Sequence, residues 1–221
     1  MTYSEEIAKR DAEFYKAFAK NKNINRADFN KKHPIKIVQE VKGFGKVPRN
    51  FDVTAAPSPE HKKIYSALTT YCEKFPNAKT PNILLWGATG TGKTYAANII
   101  ANNLLDRGFG VEYITAFGLV NAFQKYIQDF GRDSTEIDAL INCDLLIIDD
   151  LGAEPTIKNI TQEHIYNIIN ERLVNNRPFI ITTNLSPVAL IDRYDQRIAS
   201  RITAGDTSAR IEFKGKDLRL S

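Results

Sequence analysis

The sequence predicts an α/β fold in which a five-stranded parallel sheet is covered by helices on both faces. Three observations support this. From about residue 60, short apolar runs alternate with helical segments. A glycine-rich phosphate-binding motif follows the first of these runs directly. Two aspartates end a later apolar run. Because ligands bind at the carboxyl ends of the strands in such sheets, both motifs lie where a site is expected.

Length and composition fit one globular domain with a small appendage. The chain has 221 residues, of which 43% are hydrophobic and 25% charged. It has no apolar run long enough to span a bilayer and no signal-peptide pattern at its start, so we expect a cytoplasmic protein without a membrane partner. The two cysteines, Cys72 and Cys143, lie far apart in the sequence, and we interpret both as core thiols.

Positive charge is concentrated at the start of the chain. Residues 1–50 hold 12 basic and 6 acidic side chains, whereas the remainder holds 18 and 20. Ile7, Phe14 and Phe18 share one stripe of a predicted helix, and glycines and prolines punctuate the segment that follows. We therefore predict a basic helical head and linker over 1–47. Its apolar stripe could pack against the main domain or against a partner protein. Its basic charge could contact nucleic acid or an acidic protein surface, or could simply be solvated.

The remaining residues, 48–221, are predicted to form the main domain. The apolar runs predict five strands, over Asn82–Trp86, Val111–Thr115, Leu145–Asp149, Phe179–Thr183 and Arg210–Phe213. Helical segments are predicted between them, near residues 61–75, 93–106, 117–129, 134–141, 161–176 and 187–199.

The phosphate-binding motif matches the pattern G-x-x-x-x-G-K-[ST] between the first strand and a helix. Glycines let successive backbone N–H groups turn towards phosphates, and the helix N-terminus adds a positive dipole. The lysine should reach the β- and γ-phosphates, and the final threonine should bind Mg²⁺. The predicted residues are Gly87, Ala88, Thr89, Gly90, Thr91, Gly92, Lys93 and Thr94.

The acidic strand end predicts the second half of the site. Asp149 could hold Mg²⁺ and its water shell, and Asp150 could orient the attacking water, although two aspartates can also simply end a strand. The same string fits the D-x-x-G of a GTPase. Because the guanine-reading N-K-x-D is absent, adenine is favoured over guanine.

Polar residues later in the chain are further candidates. Asn184 follows an apolar strand that we expect to lie beside the phosphate-loop strand, where its amide could bind both the lytic water and the γ-phosphate. Arg197 and Arg201 share one helix face and could form surface salt bridges or reach the phosphates of a neighbouring subunit's ATP. Arg219 lies near the last residue of the sequence, and the chemistry of an arginine there does not by itself assign it a role.

The order of these motifs resembles the AAA+ ATPases, and within them the bacterial helicase loaders of the DnaC/DnaI type and the related IstB transposition helpers. The resemblance covers roughly 48–221. The two nucleotide motifs identify only the P-loop class, whereas the string IDDLGAE, the later S-R-I and the terminal arginine are considerably more specific. The resemblance is carried by Gly87–Thr94, Leu145–Glu154, Thr182–Asn184, Gln196–Ile202 and Phe213–Arg219.

This resemblance implies a role for each late residue. Asn184 corresponds to sensor 1, Arg201 to an arginine finger that acts on a neighbouring subunit, and Arg219 to the sensor 2 arginine, while Arg197 would support the interface. It also implies ATP and Mg²⁺ as cofactors and an ATP-dependent ring or spiral. The family's role would be to bind the replicative DnaB-type helicase and deliver it onto single-stranded DNA, with ATP turnover timing release.

In such loaders the segment between the second and third strands contacts single-stranded DNA. Here Lys125, Tyr126 and Arg132 offer charge and a stacking face, although Tyr126 could equally be buried packing.

The sequence departs from the wider AAA+ pattern in three ways. Asp150 stands where a glutamate is usual, which predicts slow hydrolysis and leaves a contribution of Glu154 open. The short sequence after Arg201 predicts a minimal or absent helical lid, and the head lacks the cysteine cluster of some loaders. Two other functions remain open: an IstB-like transposition helper on duplex DNA, and a switch that binds ATP without hydrolysing it.

Overall fold

The computed structural model describes residues 47–155 and 161–220, together with Glu13 and Lys16. The predicted stripe of Ile7, Phe14 and Phe18 lies outside the described residues. The division at residue 47 therefore stays a prediction.

Five strands form one sheet in the order β2-β3-β4-β1-β5, and every neighbouring pair is parallel. All five predicted strands are confirmed, with one to two additional residues at an end of β1, β3 and β5. The phosphate-loop strand lies beside β4, as expected. The strands are β1 (Asn82–Gly87), β2 (Val111–Thr115), β3 (Leu145–Leu151), β4 (Phe179–Thr183) and β5 (Ser208–Phe213).

Seven helices among the described residues surround the sheet. Two begin at a Ser-Pro pair, in which the serine side chain caps the helix and proline occupies its first turn: Ser58 caps α1 and Ser186 caps α6. The helices are α1 (Pro59–Lys74), α2 (Lys93–Asp106), α3 (Ala116–Gln128), α4 (Thr135–Asn142), α5 (Thr161–Val174), α6 (Pro187–Tyr194) and α7 (Gln196–Thr203).

The core is divided between the two faces of the sheet. Along β3, Leu145 and Ile147 pack with α1 and α2, whereas Leu146 and Ile148 pack with α3 to α7. Successive side chains of a strand point to opposite faces, so this strand is buried on both sides. The result is the three-layer α/β sandwich that the sequence predicts. Both cysteines are buried, as predicted.

The single helix predicted near 187–199 is wrong, because the chain turns sharply at Asp195. That residue has φ 74°, and its carboxylate accepts N–H bonds from Arg197 and Ile198, which caps α7. A side-chain acceptor competes with the helix for these amides, which is why aspartate favours helix starts over helix interiors.

Within the described residues, the chain after α7 contains only β5 and a short tail. None of the helices described is both long enough and apolar enough to cross a membrane.

Candidate nucleotide site

The predicted phosphate loop connects β1 to α2, and its first residue packs closely against β5. Gly87 has φ 141°, and a Cβ there would overlap the carbonyl of Phe213 on β5, so only glycine fits. The first amides of α2 lack a side-chain cap within the described residues. Uncapped amides at a helix N-terminus form a ready anion site.

Lys93 lies at the centre of the loop. Its Nζ donates hydrogen bonds to the carbonyl oxygens of Gly87 and Ala88, at 2.9 and 2.7 Å, and to Oδ1 of Asn184 at 2.8 Å. Burial lowers the pKa of Lys93, and the carboxylates of Asp150 and Asp149 oppose this effect. The predicted lysine and the predicted sensor amide are thus in direct contact.

A chain of hydroxyl groups joins the loop to the acidic strand end. The Thr94 hydroxyl donates to Asp149 Oδ1 at 3.0 Å, and the Thr182 hydroxyl donates to the same oxygen at 2.6 Å. The Thr182 oxygen also accepts the backbone N–H of Asp150 at 2.8 Å. Thr182 enters the sequence analysis only as part of the Thr182–Asn184 motif, with no assigned role in the site.

Asp150 occupies a strained position beside Asp149. Its φ is 59°, in the left-handed region. Burial and the Asp149 carboxylate raise its pKa, and Lys93 partly offsets the increase. The amide of Asn184 donates to Asp150 Oδ1 at 3.1 Å, so Asn184 bridges the lysine and this carboxylate. Perturbed, closely coupled groups of this kind are typical of functional sites.

These side chains line a cavity of about 650 Å³, which suits a nucleotide-sized ligand. One part of its lining is apolar and comes mainly from the residues before and within α1 and from α2. Sequence analysis had interpreted the prolines of this segment only as a linker. In this part of the cavity the apolar lining residues are Pro48, Ala55, Pro57, Tyr65, Tyr95 and Ile99.

The tail of the chain also reaches this cavity. The Leu218 N–H donates to the Gly90 carbonyl at 2.9 Å, and Leu218 and Arg219 line the cavity. Arg219 forms a two-point ion pair with Asp217, at 3.1 and 3.2 Å, and a Cβ at Gly90 would overlap the Asp217 carboxylate. The predicted sensor 2 arginine therefore lies at the cavity of its own chain.

Arg201 is not among the described residues that line the cavity. Its guanidinium stacks on the ring of Tyr166 at 4.5 Å and donates to the Tyr166 hydroxyl at 2.9 Å and to Asn170 Oδ1 at 3.1 Å. The Arg197 guanidinium also lies over this ring, 5.3 Å from its centroid, and pairs with Asp195. The arginine pair is thus separate from the cavity of its own chain.

Glu154, whose contribution the sequence left open, is not among the residues that line the cavity. Its buried carboxylate accepts the Gly152 N–H at 2.8 Å and the Tyr194 hydroxyl, and Arg193 lies 3.4 Å away. It connects the loop after β3 to α6, which is a structural role.

The predicted DNA-contacting residues lie on and after α3. Lys125 and Arg132 are exposed, whereas Tyr126 is half-buried against the core. Carboxylates of the same region lie beside them: Asp129, Asp133 and Glu136 line a small pocket with Lys125 and Tyr126. Acidic neighbours oppose phosphate contact, so a role in DNA binding stays a prediction.

The donor set of the site fits Mg²⁺. The Thr94 hydroxyl and the Asp149 carboxylate lie 3.0 Å apart beside the phosphate loop, and hard oxygen donors of this kind are what Mg²⁺ prefers. These two residues would hold the ion.

Comparison with known proteins places this site in context. The profile of the family described as IstB-like ATP binding protein matches residues 12–200. The chromosomal replication initiator protein DnaA of Streptococcus equi subsp. zooepidemicus is 33% identical over 129 residues, which cover 57% of this chain and 28% of the relative. The chain therefore spans less than a third of that relative's length.

Solved structures share the fold. A crystal structure of the DnaC helicase loader superposes with a TM-score of 0.66 at 22% identity, covering 75% of this chain and 97% of the other. AMPPCP-bound DnaA from Aquifex aeolicus gives 0.62 at 22% identity, covering 78% and 53%. At such identities the likeness establishes the fold alone.

Proposed function

Because the chain belongs to the family of IstB-like ATP binding proteins, we propose that the cavity at the ends of β1, β3 and β4 binds and slowly hydrolyses ATP to ADP and phosphate. The observation that carries this proposal is the contact between Lys93, Asn184 and Asp150 inside one cavity. Lys93 begins α2 after the loop from β1, Asp150 lies near the end of β3, and Asn184 follows β4. Together they provide a cation, an amide and a carboxylate.

The phosphate tail would lie against the loop amides and the N-terminus of α2. Lys93 donates all three of its N–H bonds to neutral oxygens, and phosphate oxygens would replace some of them with stronger charge-assisted bonds. When bound by Thr94 and Asp149, Mg²⁺ would neutralise charge on the phosphates.

Asp150 and Asn184 are suited to orient the attacking water. The Asp150 carboxylate accepts from Asn184 and is held near Lys93, so a water between carboxylate and amide would face the terminal phosphate. A raised pKa improves a carboxylate as a proton acceptor, whereas its shorter side chain relative to glutamate favours slow turnover.

The apolar lining of the cavity suits the base. Tyr65, Tyr95 and Ile99 offer flat or aliphatic surface, on which a purine can be buried. We assign the base as adenine because the guanine-reading motif is absent from the sequence.

An arginine from a second copy would complete the site. Arg201 lies outside its own cavity, which favours action on a neighbour's nucleotide, and Arg197 would support that interface. An arginine finger stabilises the charge that develops on the transferred phosphoryl group. We therefore propose an ATP-dependent ring or spiral.

The proposed cellular function is to load the replicative DnaB-type helicase onto single-stranded DNA, with ATP binding and hydrolysis timing release. The fold shared with the DnaC helicase loader supports this proposal, as does the similarity to DnaA. The basic head over 1–47 would bind the helicase, and its excess of 12 basic over 6 acidic residues within positions 1–50 suits an acidic partner surface.

The family match itself favours a second candidate, an IstB-like transposition helper that acts on duplex DNA. The two candidates share the ATP site and differ in partner and in DNA form. The test is a loading assay, in which the DnaB-type helicase must unwind a fork flanked by closed single-stranded DNA. Stimulation that needs both ATP and this protein supports loading. ATP-dependent filaments on duplex DNA without helicase binding would instead establish the second candidate.

The domain division can be tested in parallel. Removing residues 1–45 should abolish helicase binding and leave ATP binding intact, because the cavity is lined by residues from Pro48 onward. Helicase affinity that survives the deletion would show that the head is not the docking element.

A further inference from the structure

The two arginines on α7 are held in different ways. Arg197 is largely exposed, forms an ion pair with Asp195 two residues earlier, and lies 5.3 Å from the centroid of the Tyr166 ring. Arg201 is half-buried and is held by α5, through the Tyr166 hydroxyl, the Tyr166 ring and Asn170. An exposed ion pair and a longer ring contact restrict Arg197 little, whereas two hydrogen bonds and a closer ring contact to a packed helix hold the Arg201 guanidinium in place.

We infer that Tyr166 and Asn170 are positioning residues that orient the Arg201 guanidinium towards the ATP of a second copy of this chain. This inference rests on the proposed function, in which Arg201 acts on a neighbour's nucleotide. A guanidinium has five N–H donors. Three of them are bonded here, to Asn170, Tyr166 and the Arg197 carbonyl, and two remain for phosphate oxygens.

The helix that carries these residues is itself rigidly anchored. Arg172, two residues after Asn170, is fully buried and donates to the carbonyls of Leu140, Cys143 and Pro178. Those carbonyls lie at the end of α4 and at the starts of β3 and β4. The orientation of Arg201 is therefore connected, through α5, to the strands whose far ends carry Asp149 and Asn184.

The two residues that hold Arg201, Tyr166 and Asn170, contribute different constraints. The Tyr166 ring supports the flat face of the guanidinium, while Asn170 at Nε sets its rotation within that plane. Loss of Asn170 should leave the charge in place and misdirect it. The expected result is a fall of about 10- to 100-fold in kcat with KM unchanged, which is the size expected for a misplaced catalytic group.

The test uses mixtures of two full-length variants. Asp150→Asn protein should bind ATP and hydrolyse it about 100-fold more slowly, and Arg201→Ala protein lacks the finger. In a mixture, hydrolysis needs the Asp150→Asn chain to donate its Arg201 to the ATP on the Arg201→Ala chain. Asn170→Ala is then added to one component at a time, and Asn167→Ala, an exposed asparagine on the same helix, serves as the matched control.

If Asn170 positions Arg201, the effect of Asn170→Ala should depend on which of the two chains carries it. Asn170→Ala in the donor chain should lower the activity of the mixture, while the same change in the acceptor chain, and Asn167→Ala in either, should leave it unchanged. Tyr166→Phe in the donor should cause a smaller loss than Tyr166→Leu, because it keeps the ring. A fold defect would lower activity from either side.

The possible results distinguish a failure of the shared ATP site from a failure of the positioning role of Tyr166 and Asn170. If the parent mixture is no more active than its components, the shared site of the proposed function is wrong and the inference falls with it. If the parent mixture is active and donor-side Asn170→Ala and Tyr166→Leu change nothing, or act equally from both sides, the positioning role is overturned and the shared site stands.

Discussion

Thr182 donates a hydrogen bond of 2.6 Å to Asp149 Oδ1, and its oxygen simultaneously accepts the backbone N–H of Asp150. One buried hydroxyl on β4 thus fixes both carboxyl-bearing residues at the end of β3. Asp149, the proposed Mg²⁺ ligand, and Asp150, which would orient the attacking water, are therefore connected through the neighbouring strand β4.

Replacing Thr182 by valine should impair the site with little change in shape. Valine keeps the branched side chain and removes both bonds, which leaves a buried N–H without its partner at a cost of about 1–3 kcal/mol in the free energy of unfolding. We expect kcat to fall about tenfold and the Mg²⁺ concentration for half-maximal ATPase activity to rise. Steady-state ATPase measurements across a Mg²⁺ series check this, and Thr182→Ser, which keeps the hydroxyl, should retain most activity. Equal activity of the valine and serine variants would contradict the assigned role.

Asp150→Asn should slow ATP hydrolysis strongly and stabilise the fold. Asparagine tolerates the positive φ and can still accept from Asn184, while the repulsion from Asp149 disappears. We expect kcat to fall about 100-fold and the melting temperature to rise by about 2 °C. ATPase assays and thermal denaturation provide the two measurements. Unchanged hydrolysis would exclude Asp150 as the water-orienting group.

The stability gain of Asp150→Asn should depend on pH. Since the pKa of Asp150 is raised in the folded protein, the folded state holds this proton more tightly than the unfolded chain does. Wild-type stability is therefore penalised as pH rises above the ordinary aspartate value of 3.8, and the penalty is complete once pH exceeds the raised value. Urea denaturation should show the variant gaining on the wild type over that window. A gain independent of pH would assign it to another cause.

Glu154→Gln should have the opposite effects to Asp150→Asn: it should destabilise the fold and leave catalysis nearly unchanged. The Glu154 carboxylate holds Gly152, Tyr194 and Arg193 and lies outside the cavity. Loss of its charge should lower the free energy of unfolding by about 1.5–3 kcal/mol and leave kcat of the folded protein within a few-fold of the wild type. Urea denaturation and ATPase assays at low temperature test this. A loss of kcat comparable with that of Asp150→Asn would make Glu154 part of the reaction machinery.

Arg219→Ala should weaken ATP binding more than ADP binding. The arginine lines the cavity, and its ion pair with Asp217 is exposed, so breaking that pair should change stability by less than about 1 kcal/mol. Loss of a charge-assisted bond to the terminal phosphate should lower ATP affinity about tenfold. Calorimetric titration of both nucleotides checks this. Lys216→Ala removes the same charge from an exposed position outside the cavity and should leave both affinities unchanged.

Much of the site could be predicted because parallel strands bring their carboxyl ends to one edge. Lys93, Asp149, Asp150 and Asn184 are separated by up to 91 positions in the sequence, yet each follows a recognisable apolar run. Their convergence is therefore a consequence of the sheet. The strands were predictable for the same reason, since a strand buried on both faces reads as a continuous apolar segment.

What escaped prediction depends on contacts between distant segments. The break at Asp195 arises because a carboxylate captures two amides, and helical periodicity does not register it. The partners of Glu154 on α6, Arg193 and Tyr194, lie 39 and 40 positions away in the sequence. The apolar lining of the cavity joins the segment before α1 to α2. Side-chain identity alone does not encode such pairings.

The most direct measurement is a calorimetric titration of the full chain with a non-hydrolysable ATP analogue and Mg²⁺, beside Lys93→Ala. The account predicts one analogue bound per chain, displaced by ADP and not by GTP, and at least about tenfold weaker binding when the charge-assisted bonds of Lys93 are lost. A folded wild-type protein that binds no analogue, or a Lys93→Ala variant that binds as tightly as the wild type, would contradict it.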